Sequence, residues 1–270
     1  MTKTGRWGDL PARVASAVAM LIVGGGAIWL GGDVFDALVV VITGLMIWEL
    51  ARMTGPQAVP FVNVGYGVIG AVGLAAAVGQ LREGGPGLLP LVLLAVPVLV
   101  LAFTPRQDKP RAPLSAVAIM LAGLGLTELR QDGLPGLIWL IAIVVASDVL
   151  GYFAGRLIGG PKFWPKVSPK KTWSGTVAGW IGAVAIGLIF MVQAGFPAIT
   201  VLLAPFVALA AQMGDLVESA FKRRAGVKDS SHLIPGHGGF LDRFDGLLMA
   251  VAMLIVLHLL TGLRLGTIQI

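Results

Sequence analysis

Nine stretches of this chain run for most of a bilayer's thickness with too little charge to be kept in water. They lie at about 12–31, 34–53, 60–80, 86–104, 113–127, 134–155, 173–193, 197–219 and 244–263. A hydrocarbon layer about 30 Å thick takes about 20 apolar residues to cross as a helix. No water is present there, so the backbone must satisfy its own N–H and C=O groups. Strands of a membrane barrel would be only about 10 residues long and would alternate in polarity. These runs do neither. The class that follows is all-α: a polytopic integral membrane protein with about nine transmembrane helices. Composition agrees, since 56% of the 270 residues are hydrophobic and 13% are charged, where soluble domains carry about 25% charged residues. Soluble and disordered classes are excluded on that ground. The chain has no Cys, so disulfides, thiolate metal sites and Cys nucleophiles are excluded too.

Orientation follows from Lys and Arg, which collect in cytoplasmic loops. With the N-terminus cytoplasmic, 17 of the 20 basic residues fall on the cytoplasmic side, from Lys3, Arg6 and Arg13 through Lys109 to Arg243. Arg82, Arg130 and Arg264 fall on the other side. The first run reads as a retained helix and not a cleaved leader, because the small triplet Ala15-Ser16-Ala17 precedes the apolar run. Residues 1–130 read as a helical scaffold offering dimer or lipid contacts. Residues 131–270 read as the catalytic region, with cytoplasmic loops 156–172 and 220–243. The net charge of +6 is thereby concentrated on one face, where anionic headgroups or a nucleotide triphosphate would be attracted. Nucleic acid is not an expected partner, since no soluble basic module and no aromatic–basic interleaving is present. Scattered glycines read as close helix packing. The paired broken helices of an inverted-repeat transporter are not evident.

Ionisable residues inside spans are costly and tend to mark function. Asp148 lies in the sixth run, between Ser147 and Tyr152. Glu49, three residues before Arg52, reads as an interfacial ion pair or a snorkelling side chain. At the end of the eighth run, Asp215, Glu218, Ser219 and Lys222 fall at i, i+3, i+4 and i+7 and share one helix face. Asp242 and Asp245 repeat the i, i+3 spacing where the ninth run begins. A helix N-terminus favours carboxylates, so capping and ligation both fit there. Two acidic pairs at the cytoplasmic ends of consecutive runs can converge on one cation. Oxygen-only donors select Mg²⁺ or another hard ion. Around them lie Lys222, Arg223, Arg224, Lys228, Ser230, Ser231 and His237, with Gly236, Gly238 and Gly239 permitting close backbone approach to an anion. The other loop adds Lys166, Ser168, Lys170, Lys171 and Thr172. Cations, hydroxyls and carboxylates for a metal describe phosphoryl or nucleotidyl transfer. The plainer reading is a set of helix-end ion pairs and topology charges.

Ser219-Ala220-Phe221-Lys222-Arg223, then Lys228-Asp229, then Ile234-Pro235-Gly236-His237-Gly238-Gly239-Phe240-Leu241-Asp242-Arg243-Phe244-Asp245 resembles the signature of the phosphatidate cytidylyltransferase (CDP-diacylglycerol synthase) family. Ser168-Pro169-Lys170-Lys171-Thr172-Trp173 is similar to a second stretch of that family, and Ser147-Asp148 through Tyr152-Phe153 and Gly155-Arg156 to a third. The chain departs from the family pattern at Ser174 and at Val149-Leu150-Gly151. The resemblance implies that CTP and phosphatidic acid give CDP-diacylglycerol and pyrophosphate. It implies a multi-pass protein of the inner membrane, with a site open to the cytoplasm, and a homodimer. It implies Mg²⁺, with a second cation such as K⁺ as a further option. Asp215 and Asp242 are then metal ligands, and Glu218 and Asp245 ligands or their orienters. Lys222 and Arg243 become catalytic cations. Ser168, Lys170, Lys171, Ser219, Arg223, Lys228, His237 and Asp148 become substrate-binding. Two rivals stay open: a CTP-dependent polyprenol or phytol kinase-like enzyme, and a membrane transporter with Asp148 on its pathway.

Overall fold

In a computed structural model of the chain, the described residues are 10–55, 60–84, 88–106 and 111–262. Lys3, Arg6, Lys109 and Arg264, which entered the orientation argument, lie outside them. Among the described residues are nine helices: α1 (Leu10–Leu30), α2 (Gly32–Thr54), α3 (Pro60–Arg82), α4 (Leu89–Phe103), α5 (Arg111–Asp132), α6 (Leu134–Leu157), α7 (Trp173–Ala194), α8 (Ala198–Arg224) and α9 (Leu241–Thr261). They fall where the apolar runs predict helices, and the all-α membrane class holds. Eight are long and apolar enough to cross a bilayer. Large apolar side chains such as Val41, Val68, Ile181, Leu202 and Leu259 lie exposed on them, as lipid-facing surfaces require.

Two elements differ from expectation. The fifth helix is longer than its apolar run, because polar residues of its last turns extend it as far as Gly133, whose φ of 145° ends it. The short helix is instead α4, with 15 residues, about 22 Å at 1.5 Å per residue. It nevertheless carries the chain from one end of α2 to the other. Arg82, at the end of α3, pairs with Asp33 (2.8 Å) and Asp36 in the first turns of α2. Just beyond α4, Arg106 donates Nη1 to Ala51 O and Thr54 Oγ1, both at 3.0 Å, at the opposite end of α2. Extended residues after Phe103 add the reach that the helix lacks.

By contacts the chain forms two compact units. One comprises Met1–Met120 with Ala225–Arg243, the other Leu121–Arg224 with Phe244–Ile270. The first holds α1–α4 and, packed with them, the glycine-rich segment that follows α8. Its core includes Ile47, Leu50, Leu74 and Leu101. In the second, α6, α7 and α8 pack closely at small residues. A Cβ on Gly175 would stand 2.5 Å from the Gly151 carbonyl, and one on Gly179 would meet Gln212 and Ser147. Between α6 and α7 the 156–172 loop folds into a hairpin, β1 (Lys162–Trp164) against β2 (Ser168–Thr172), antiparallel with Lys162 opposite Thr172. Apolar runs gave no sign of this hairpin. It is stapled to α7 by Phe163 against Trp173, with ring centroids 4.7 Å apart.

Candidate active site

The second unit builds an acidic cluster from two helices. On α8, Asp215 and Glu218 are one turn apart, and Asp245 approaches from α9. Oxygens of the three lie within 4.8 Å of one another. Glu218 is 5% exposed. Asp245 and Glu218 are in hydrogen-bonding contact. Carboxylates this close repel unless a proton or a cation is shared between them. What brings them together is backbone proximity. A Cβ on Gly214 would overlap the Asp245 carbonyl oxygen, and one on Gly246 would stand 3.3 Å from Ala211 O. At Gly214 only glycine lets α8 approach α9 this closely.

α8 has 27 residues, about 40 Å, whereas about 20 residues cross the hydrocarbon. Asp215 and Glu218 lie toward the end of that helix, ahead of the basic run Lys222, Arg223 and Arg224. The sequence-predicted stripe is present. Ser219 Oγ lies 3.5 Å from Asp215 Oδ1, and Lys222 Nζ pairs with Glu218 Oε2 at 2.5 Å.

A cation reaches the cluster from the hairpin. Thr172 caps α7, its Oγ1 accepting from Gly175 N at 3.2 Å. That fixes Lys171, which pairs with Asp215 and donates to Gln212 O at 3.2 Å. Gln212 is itself held. Its amide donates to Ser147 Oγ (3.0 Å) and Thr176 O (3.3 Å), and its oxygen accepts from Trp180 Nε1 (3.2 Å). This buried network joins α6, α7 and α8 directly beneath the carboxylates. Asp148, exposed on α6, is within electrostatic reach of Lys171 and Asp215. Arg223 donates Nε to Val167 O at 2.8 Å, tying the end of α8 to the hairpin turn. Ser168 lies half-buried in β2, and Lys170 is exposed.

The remaining expected residues belong to the first unit. Asp242 Oδ2 accepts from Ser230 N (2.8 Å), Ser230 Oγ (2.8 Å) and Gly239 N (2.7 Å). It therefore ties the glycine-rich segment to the first turn of α9, while Asp245 lies with Asp215 and Glu218. His237 sits in a tight turn closed by Ile234 N to Gly238 O at 2.8 Å, with φ of 89° at Gly238. Its Nδ1 lies 2.8 Å from Ser16 Oγ of α1. Lys228 and Arg243 are exposed.

Sequence reasoning misread Glu49. It is no interfacial pair with Arg52, whose guanidinium instead lies over the Trp48 ring at 5.5 Å. Glu49 is 0% exposed. Its Oε1 accepts from Ser231 Oγ (2.5 Å) and Phe240 N (3.0 Å). Its Oε2 accepts from Ser230 Oγ (3.2 Å) and Leu241 N (2.7 Å). The available signal was a carboxylate in an apolar run, which demands partners from somewhere.

Residues 11–261 match the cytidylyltransferase family. A phosphatidate cytidylyltransferase of Brucella abortus (strain 9-941) is 35% identical over 259 residues, covering 91% of this chain and 92% of its own. That of Staphylococcus aureus (strain COL) is 31% identical over 265 residues, covering 92% and 98%. That of Staphylococcus saprophyticus is 37% identical over 179 residues, covering 61% and 67%. With the family matched along nearly its whole length, this chain belongs to the cytidylyltransferase family.

Proposed function

We propose that the protein transfers the cytidylyl group of CTP to phosphatidic acid at the membrane surface, giving CDP-diacylglycerol and pyrophosphate. The observation that carries this reading is the oxygen cluster of Asp215, Glu218 and Asp245, flanked by Lys171 and Lys222. It lies in a chain that aligns over about nine-tenths of its length with proteins named for that activity. Three carboxylates with oxygens within 4.8 Å of one another, and no sulfur or imidazole among them, fit a hard divalent cation such as Mg²⁺. When bound, that ion supplies charge neutralisation at phosphate oxygens.

The chain's own residues do the rest. A phosphate oxygen of phosphatidic acid attacks the α-phosphorus of CTP. The bond from that phosphorus to the β-bridging oxygen breaks, and pyrophosphate leaves with the electron pair. The lipid phosphate is already ionised near neutral pH, so no strong base is needed. Lys171 and Lys222 stand beside the carboxylates and offset charge on transferring and leaving oxygens. Lys170, Arg223, Lys228 and Arg243 supply further charge to substrate phosphates, and His237, Ser168 and Ser219 donate hydrogen bonds. Asp148, near Lys171, orients that ammonium. Asp242 shapes the glycine-rich segment, and its own ligation of the ion is a second assignment for the same side chain. A cluster near the end of α8, ahead of its basic run, suits a lipid whose chains stay in the bilayer while its headgroup meets a soluble nucleotide. A cytoplasmic site in the inner membrane and a homodimer complete the proposal, the first from the basic-residue asymmetry and the second from the family resemblance.

The experiment uses purified protein in mixed micelles with CTP and phosphatidic acid, with and without Mg²⁺. The expected result is a lipid product of CDP-diacylglycerol mass, formed only with the metal. No such product at any Mg²⁺ concentration would overturn the reading.

A further inference from the structure

We infer that Glu49, far from the signature in sequence, is a positioning residue for the reaction. Its buried carboxylate holds residues 230–241 in the conformation that presents Lys228, His237 and Arg243. This rests on the proposed function. Glu49 takes its donors from both ends of the segment: Ser230 and Ser231 at the entry, Phe240 and Leu241 at the exit. One side chain therefore closes the segment as a loop. The turn with His237 lies between the two tied ends.

The fit is tight. A Cβ on Gly239 would overlap both Ser230 Oγ and Glu49 Oε1. Ser230 bridges Glu49 to Asp242, so a carboxylate of α2 and one in the first turn of α9 share one hydroxyl. The chemistry demands a carboxylate. Each oxygen of Glu49 accepts two hydrogen bonds, one from a hydroxyl and one from a backbone N–H. An amide of the same shape offers one accepting oxygen, and its NH₂ would face a backbone N–H that then has no acceptor. Burying a charge costs unless it is fully hydrogen-bonded. An apolar side chain could serve packing at this place in α2 without that cost, but it could not order two N–H groups and two hydroxyls.

Glu49→Gln tests this in the full-length protein, with initial rates measured against CTP and against phosphatidic acid. The account expects KM for at least one of the two to rise about tenfold or more, as one lost partner of a buried donor implies. It also expects faster tryptic cleavage after the exposed Lys228. Asp36→Asn is the structural control, since it disturbs a buried ion pair on the same helix with Arg82. It should lower thermal stability and leave both KM values unchanged. If Glu49→Gln does not fold, Ser231→Ala removes a single donor and should raise the same KM about threefold. Wild-type KM values in Glu49→Gln and Ser231→Ala, or a reduced active fraction with unchanged KM in both, would overturn the inference. A wild-type protein without any turnover would remove the functional reading itself. The trypsin comparison would then still report whether Glu49 anchors the segment.

Discussion

At the scale of single residues, the acidic cluster sorts its members by what each oxygen touches. Asp215 faces a lysine from the hairpin, a serine one turn on and two further carboxylates. It has the most to lose from neutralisation. Asp215→Asn keeps the shape and removes the charge, so turnover should fall about hundredfold or more, as loss of several kcal/mol of electrostatic stabilisation implies. Protein yield and thermal stability should be close to wild type, because the residue is half-exposed. Steady-state rates on purified variant check this, and a rate within a few-fold of wild type would remove Asp215 from the chemistry. The stripe on α8 was legible in the sequence because its partners are three, four and seven residues apart, within reach of helix periodicity. Glu49 was not, because its partners lie 181 to 192 residues away. Asp242 and Asp245 share one helix and the same local spacing, and nothing in that spacing foretold that Asp242 accepts from Ser230 and Gly239 while Asp245 lies beside Asp215 and Glu218.

At the scale of elements, glycine does what the composition suggested, and the structure says where. Gly214 and Gly246 let α8 and α9 meet at the carboxylates. Gly214→Val would push its side chain into the Asp245 carbonyl and force the helices apart. Activity should fall at least tenfold, with Asp245 displaced from Asp215 and Glu218, since misplacement of about 1 Å can cost a hundredfold. Measured against Gly79→Val, at a glycine with open space around it, an equal and small loss in both variants would show that the close crossing is not needed. Helix identity and order were readable from apolar runs, because hydrocarbon imposes one backbone solution. The lengths of α4 and α5 were not. Hydropathy marks where the apolar layer begins and ends, whereas a helix ends where its caps and turns allow. The hairpin was hidden for the same reason. It lies in a polar loop, and its hold on α7 comes from Phe163 meeting Trp173, a pairing that no periodicity contains.

At the scale of the whole molecule, a family member with eight helices apolar enough to cross a bilayer and lysines beside its carboxylates is suited to join a lipid phosphate to a soluble nucleotide. The same parts would serve a kinase that moves the γ-phosphoryl group, so the identity of the transferred phosphorus is the central claim. It is tested by incubating purified protein, Mg²⁺ and phosphatidic acid with CTP labelled at the α-phosphate in one reaction and at the γ-phosphate in another. The account predicts α-label in the lipid phase and γ-label in pyrophosphate. Label from the γ-position in the lipid phase, or none from the α-position, would contradict it.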